Sequence, residues 1–290
     1  MQNVSNRYGR ALEYAIVAEI IRQLSPSQLQ LTQRALKDQQ RDLLNYQSLP
    51  ATMQQNYQKC AESIFSWLNL NFSVLNKHIL LDRLPDKSSV EGDVTDIRLT
   101  TGGSQEINFS LKHNHKALKH QRPASTAQHC GYRKRSPEDI QFRKDYSNIT
   151  KAFTAVSLGY HYFRDLGEGV VLRHLQIPIC DIVTRFISSF CDSQIPANHL
   201  FSFLVGRRDF HKVIFYEQQG IVVIQDFSKL AGVTSVTAQN SQNYVYLHFS
   251  NDWKISMRLH TASSRIKSNP DLKFDTQPVS IVVPEERLIV

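Results

Sequence analysis

Residues 92–112 constrain the fold of this chain more than any other stretch. Gly92-Asp93-Val94-Thr95-Asp96-Ile97-Arg98-Leu99 and Glu106-Ile107-Asn108-Phe109-Ser110-Leu111-Lys112 flank the turn residues Thr101-Gly102-Gly103-Ser104. Two such runs around a Gly-Gly turn read as a β-hairpin. In the second run Ile107, Phe109 and Leu111 alternate with Glu106, Asn108, Ser110 and Lys112. Successive strand side chains point to opposite faces, so burying the first set drives the second onto one open face.

That face sets a carboxylate, Asp96, beside a lysine, Lys112. The carboxylate can hold a divalent cation, and the lysine can orient or deprotonate a water and offset developing negative charge. These are the parts that metal-assisted phosphodiester hydrolysis needs. Apolar Val94, Ile97 and Leu99 place Asp96 near a buried strand, where a charge needs a partner or a metal. Asp93, behind Gly92, is a second candidate at the mouth of the same run. The hydroxyl of Ser110 can position a water, and Asn108 offers the same; sheet packing explains either equally well. Glu13 stands on an amphipathic helix, where an acid is either a solvated helix charge or a further metal ligand.

The hairpin resembles the PD-(D/E)XK nuclease superfamily, with Asp96 as its aspartate and Lys112 as its lysine. Thr95 stands where that motif usually has proline, and Ser110 where it usually has a second carboxylate; some members carry a neutral residue there. The resemblance therefore implies a metal-site carboxylate from elsewhere. Glu13 comes first, because an acid on the N-terminal helix often plays that part; Glu106 and Asp93 are the others. The segment Lys112-His113-Asn114-His115-Lys116-Ala117-Leu118-Lys119-His120-Gln121-Arg122-Pro123 resembles the stretch after the catalytic strand of HaeIII-type type II restriction endonucleases. Asn6-Arg7-Tyr8-Gly9-Arg10-Ala11-Leu12-Glu13 is similar to their opening. Arg258-Leu259-His260-Thr261-Ala262-Ser263-Ser264 and Leu272-Lys273-Phe274-Asp275 are similar to pieces near their end, so the likeness runs from about residue 6 to about residue 275. It implies cleavage of double-stranded DNA within the palindrome GGCC, Mg²⁺ as cofactor, and functional pairing with a DNA methyltransferase. A structure-specific or repair nuclease with the same catalytic core is one rival reading. A non-catalytic DNA-binding protein that uses the basic segment alone is the other.

Charge bears on the partner. The chain carries 34 Lys and Arg against 26 Asp and Glu, a formal net charge of +8, which suits a polyanion. Residues 112–135 contain Lys112, Lys116, Lys119, Arg122, Arg133, Lys134 and Arg135 and no acid. DNA contacts are expected from His113, Asn114, His115, Lys116, Lys119, His120 and Arg122, and by resemblance from Arg258 and Lys273. Lysine and arginine neutralise phosphates, while arginine and asparagine also read base edges. On a helix, Lys116, Lys119 and Arg122 would form one basic ridge. The triplet His113-Asn114-His115 is not the signature of an HNH nuclease, whose residues spread over a ββα unit. With Cys130 as its nearby thiol, it also lacks paired zinc spacing. Tyr244, Tyr246 and Phe249 read as sheet packing rather than a base-stacking platform.

Periodicity supplies the frame. Leu12, Ile16, Ile20 and Leu24 predict a helix over 7–24, stopped by Ser25-Pro26. Helical spacing follows over 27–47 and 51–70, a short strand at Ile79-Leu80-Leu81, and after the hairpin helices over 137–165 and 175–192. Beyond residue 203 the pattern turns to strands. Lys212–Tyr216 and Ile221–Ile224 flank Gln218-Gln219-Gly220; Tyr244–Phe249 and Trp253–Leu259 flank Ser250-Asn251-Asp252. The expected class is α+β, a mixed central β-sheet flanked by helices with a β-rich C-terminal part. Residues 1–200 form the helical and catalytic nuclease core and 201–290 a β-rich subdomain, or the two make one domain. No run is apolar enough to span a bilayer, the N-terminus lacks a signal-peptide core, and Cys60, Cys130, Cys180 and Cys191 are scattered. A cytoplasmic protein with reduced thiols is expected. A palindromic site admits either a homodimer or a monomer that cuts the strands in turn.

Overall fold

Seven strands in one sheet and four in another organise the protein, whose computed structural model describes residues 4–85, 92–228 and 230–290. The chain divides into two units, one built from residues up to 116, 208–230 and 283–290, the other from 117–207 and 231–282.

The first unit opens with helix α1 (Val4–Gln23), strand β1 (Leu29–Leu31), and helices α2 (Gln33–Gln47) and α3 (Ala51–Phe72). Strands β2 (Ile79–Arg83), β3 (Ile97–Thr101) and β4 (Glu106–His113) follow, then β5 (His211–Tyr216) and β6 (Ile221–Asp226). With the C-terminal strand Glu285–Ile289 they form a sheet in the order β1-β2-β3-β4-β5-β6-C-terminal strand. The β1–β2 and β4–β5 pairs are parallel and the others antiparallel, so the sheet is mixed as expected. The 27–47 stretch is not one helix. Leu29–Leu31 pairs with β2, and Thr32 then caps α2 by accepting from the backbone N–H of Ala35.

Burial fixes the register of the central hairpin. Ile97 lies opposite Phe109 and Leu99 opposite Ile107. All four are buried against Leu12 and Ile16 of α1 and Tyr57, Ile64 and Leu68 of α3. A one-residue slip would invert both strands and put Arg98, Asn108 and Ser110 into that apolar layer, which burial forbids.

In the second unit, Ser136 accepts from the N–H of Asp139 and starts the helix Pro137–Val156. That helix stops at Val156 rather than running to 165; Gly159 follows at φ +86°, a left-handed backbone conformation. Residues Leu172–Gln176 form a π turn leading into the helix Ile177–Phe190, and a further helix spans Gln194–Val205. The second sheet is antiparallel: β7 (Val236–Ser241), β8 (Tyr244–Phe249), β9 (Lys254–Thr261) and β10 (Leu272–Ser280), in the order β10-β9-β8-β7. Val245, Leu247, Ile255, Met257, Leu259 and Phe274 line its buried face. All four cysteines are buried free thiols, and no helix among the described residues is long and apolar enough to cross a membrane.

Phe109 is the pivot of the first unit. It is fully buried on β4, with ring centroids 6.2 Å from Trp67 and 6.1 Å from His211. Phe109→Ala is expected to cost roughly 3–5 kcal/mol of folding stability. Urea unfolding measures it, and a loss under about 1 kcal/mol would show that the layer repacks freely.

Candidate active site

The second face of the hairpin carries a row of side chains set by strand register, but it is not open along its length as the alternation suggested: Asn108 and Ser110 are buried, and the row reaches solvent at Asp96 and Lys112. Asp96 comes just before β3. Its N–H donates to the carbonyl of Phe109 at 2.7 Å, which places Asp96 across from Ser110. One carboxylate oxygen, Oδ2, accepts from the N–H of Leu111 at 2.6 Å. Nζ of Lys112 lies 3.2 Å from Oγ of Ser110 and 4.0 Å from Oδ2 of Asp96. Asp96 remains 30% exposed and Lys112 22% exposed, so a ligand can reach both.

Glu13, on α1, lies within electrostatic range of Asp96. Its carboxylate accepts from Nη2 of Arg83 and from Nη1 of Arg10, the latter at 3.1 Å. Burial pushes the Glu13 carboxyl up first, and the negative charge of Asp96 adds to it; Arg83 and Arg10 pull the other way. A carboxylate whose ionisation is opposed by a neighbouring negative charge is one that a cation stabilises. Arg83 itself is 1% exposed and also donates to Oδ2 of Asp42 at 2.8 Å. Burial works to raise Asp42, but Arg41 and Arg83 outweigh it and hold that carboxyl low. Sequence reading passed over Arg83, although it stands in phase with buried Ile79 and Leu81 on β2. An arginine in an apolar phase is the signal of a buried ion pair.

The other two acids lie apart from this group. Oδ2 of Asp93 accepts from Nη2 of Arg98 at 2.5 Å, and Arg208 approaches to 3.5 Å. Burial works to raise Asp93, but bonds from Thr95 and Arg98 outweigh it and hold its carboxyl low. Glu106, at the opposite end of β4 from Lys112, takes Nη1 of Arg208 at 3.0 Å. Two arginines thus neutralise Asp93 and Glu106. Among the described residues no three His, Cys, Asp or Glu side chains converge as a metal cage. The donors on offer are the oxygens of Asp96 and Glu13. One or two carboxylates suit a hard cation such as Mg²⁺, which keeps its remaining positions for water and phosphate.

The basic segment divides. His113 faces the core side of β4: Nε2 lies 3.2 Å from Glu217, and its ring packs edge-on against Tyr8 and Tyr57. Burial holds its imidazole below the usual histidine range, against the pull of Glu217. Asn114, at φ +60°, accepts from the N–H of Glu217 at 3.0 Å and so ties off the strand end. His115 and Lys116 are exposed. Residues 114–120 are not helical, so the ridge of Lys116, Lys119 and Arg122 does not form. In the second unit Lys119 lies over the Phe203 ring at 3.8 Å; burial, with Arg207 adding, pushes its ammonium down to about 8. His120 sits 3.7 Å from Asp275, and Arg122 donates to the carbonyl of Leu272 at 3.2 Å. Arg258 and Lys273 are on the polar face of the second sheet, Arg258 on β9 and Lys273 on β10.

Lys212 is the residue that no local pattern announced. It pairs in register with Ser110 across the parallel β4–β5 ladder, yet is only 2% exposed. Its Nζ donates to the carbonyl of Lys116, fixing the chain that leaves β4. Burial, with the positive charges of Lys112 and Lys116 adding, pushes its ammonium down to about 7.

A model of the HaeIII restriction endonuclease family matches residues 9–240 and 233–282. The chain is similar to the type II restriction enzyme HaeIII of Haemophilus aegyptius, 24% identical across 97% of this chain and 96% of that protein. No solved structure matches it significantly.

The depressed Lys212 makes a pH prediction. Between about pH 7 and the ordinary lysine value near 10.5, the unfolded chain binds a proton that the folded chain does not. Stability from this group therefore rises with pH across that window, and the burial penalty is complete below it. Lys212→Met should exceed the parent in stability at about pH 6, with the gap narrowing by about pH 9. Urea unfolding at both pH values checks this; an equal gap at both would refute it.

Proposed function

Because the chain belongs to the HaeIII restriction endonuclease family, and is thereby a type II site-specific deoxyribonuclease, we infer that it cuts duplex DNA at the palindrome GGCC with the β3–β4 hairpin at the scissile phosphate. The observation that carries this reading is the Lys112 ammonium within 4.0 Å of both the Ser110 hydroxyl and the Asp96 carboxylate at a partly exposed strand end. GGCC is the site that the HaeIII-type resemblance implies, and a DNA methyltransferase acting on the same site is the matching protective activity.

Asp96 and Glu13 would hold Mg²⁺, with Arg83 and Arg10 orienting the Glu13 carboxylate. A divalent cation there supplies Lewis-acid polarisation of the phosphate and acidity for a nucleophilic water. Lys112 stabilises the negative charge that grows on the phosphate oxygens as water adds to phosphorus in line with the leaving oxygen. Ser110, already bonded to Lys112, holds that ammonium at the reacting edge of the strand. The backbone N–H of Leu111 fixes one oxygen of Asp96 and leaves the other for the cation. Asp93 and Glu106 serve the fold through Arg98 and Arg208.

The direct test is incubation of plasmid DNA with Mg²⁺ and sequencing of the ends. Discrete fragments ending within GGCC are expected; cuts at flaps, junctions or another sequence would overturn the specificity. Lys112→Ala is expected to lower cleavage by about a thousandfold, as when a donor to developing charge is lost, while DNA affinity changes little. Near-parental cutting by that variant would remove Lys112 from the reaction.

Asp96→Asn should lose Mg²⁺-dependent cleavage far more than Asp93→Asn, because Asp93 is already bound to two arginines. A plasmid assay across Mg²⁺ concentrations ranks them. The opposite order would move the cation to Asp93.

A further inference from the structure

The second unit's sheet has one face buried and one open. Along β9, Ile255, Met257 and Leu259 point inward while Lys254 and Arg258 are exposed. Along β8, Val245, Leu247 and Phe249 are buried, so Tyr244 and Tyr246 lie on the opposite face. Their rings stack there, with centroids 5.8 Å apart and planes 12° from parallel. Of the three aromatic residues in this strand, Phe249 alone packs inside.

Register sorts the charges on the open face. Arg258 pairs with Asp275 across β9–β10 and with Tyr244 across β8–β9. Lys273 pairs with His260 in the same β9–β10 ladder. Arg258 and Lys273 have no side-chain hydrogen bond or ion pair among the described residues; Asp275, 31% exposed, accepts from Nε2 of Gln277 at 3.2 Å and lies 3.7 Å from His120 through the same oxygen, Oδ1, which leaves Oδ2 for a ligand. Burial first, then Lys273 and Arg258, depress the His260 imidazole, which places these cations on the same patch.

We propose that this open face, centred on the Arg258–Asp275 pair and flanked by Tyr244, Tyr246 and Lys273, is the surface that reads the G·C pairs of the DNA site. The argument is chemical. A guanine presents two acceptors in the major groove, which an arginine fork meets with two donors; its cytosine presents an amino donor, which a carboxylate accepts. An arginine and an aspartate side by side across two strands offer that complementary pattern. Lys273 and Lys254 supply phosphate-neutralising charge, and the stacked tyrosines give a stiff surface with two hydroxyls. A purely electrostatic docking face would gain nothing from Asp275, which repels phosphate. This proposal rests on the reading of the chain as a nuclease for a G·C palindrome and assigns that reading's recognition step.

The test is binding of the full chain, with Ca²⁺ in place of Mg²⁺, to a duplex containing GGCC and to an unrelated duplex. Arg258→Ala should weaken binding to the GGCC duplex about tenfold or more, the loss of one bidentate base contact. Lys144→Ala, which removes an exposed cation on the helix Pro137–Val156, should change it less than about twofold. Asp275→Ala is the sharper variant. It should bind the unrelated duplex as tightly as the parent or tighter, yet bind GGCC severalfold more weakly. Thermal unfolding of each variant separates misfolding from lost contact. If Arg258→Ala and Asp275→Ala both bind GGCC like the parent, or if Asp275→Ala strengthens binding to both duplexes equally, the proposal is overturned. A parent that binds GGCC selectively but cuts nothing in Mg²⁺ would instead overturn the nuclease reading alone.

Discussion

The burial of one face of β4 governs the rest of the first unit. Ile107, Phe109 and Leu111 are held against α1 and α3, and the two-residue period leaves Asn108, Ser110 and Lys112 no choice of direction. Antiparallel pairing brings Asp96 across from Ser110, and parallel pairing brings Lys212 to its other side. The site is thus a line of side chains drawn across three strands by hydrogen-bond register. The apolar contacts that hold the line lie on the reverse of the same sheet, so folding energy and site geometry cannot be separated.

Two buried cations flank that line and are handled in opposite ways. Arg83 donates from Nη2 to both Glu13 and Asp42, and the two carboxylates offset the desolvation of its guanidinium. Among the described residues Lys212 pairs with no carboxylate: its Nζ donates to the Lys116 carbonyl and lies 5.9 Å from the Phe227 ring centroid, and burial with the charges of Lys112 and Lys116 lowers its pKa. Arginine cannot shed its proton and so must be paired; lysine can, and tolerates solitude at the cost of a lowered pKa.

Much of this was readable in the residues themselves. The hairpin, α1, α3 and the strands around Gly220 and Asn251 follow from strong local periods, and Asp96 with Lys112 from the alternation of one strand. Glu13 required knowing which helix packs on which sheet, and its tie to Arg83 joins residues 70 positions apart. Lys212 was hidden because its neighbour Ser110 is set by parallel pairing, which leaves no mark in either strand. Strands β7 and β10 were missed for another reason. Runs such as Val236-Thr237-Ala238-Gln239-Asn240-Ser241 contain few apolar residues, because one face is solvated and the strand lies at a sheet edge. On β8 alternation gives parity without saying which parity is buried; Phe249 settles it by lying inside, with Tyr244 and Tyr246 on the other face.

Lys212 also bears on why a serine at 110 suits this site where the superfamily motif usually has an acid. A carboxylate at position 110 would stand in register beside the Lys212 ammonium, in a place that is 2% exposed on both sides of the ladder. At that separation and burial, an ion pair with Lys212 would compete with any cation for the carboxylate. The hydroxyl of Ser110 makes no such pair. It bonds Lys112 instead and leaves Lys212 on the Lys116 carbonyl. In the proposed mechanism a second anionic ligand would come from outside the row, from Glu13 on α1, whose carboxyl feels the charge of Asp96 and is held by arginines that belong to α1 and β2. Serine at 110 and lysine at 212 are therefore matched across the parallel ladder: the hydroxyl serves Lys112 and asks nothing of the buried ammonium beside it.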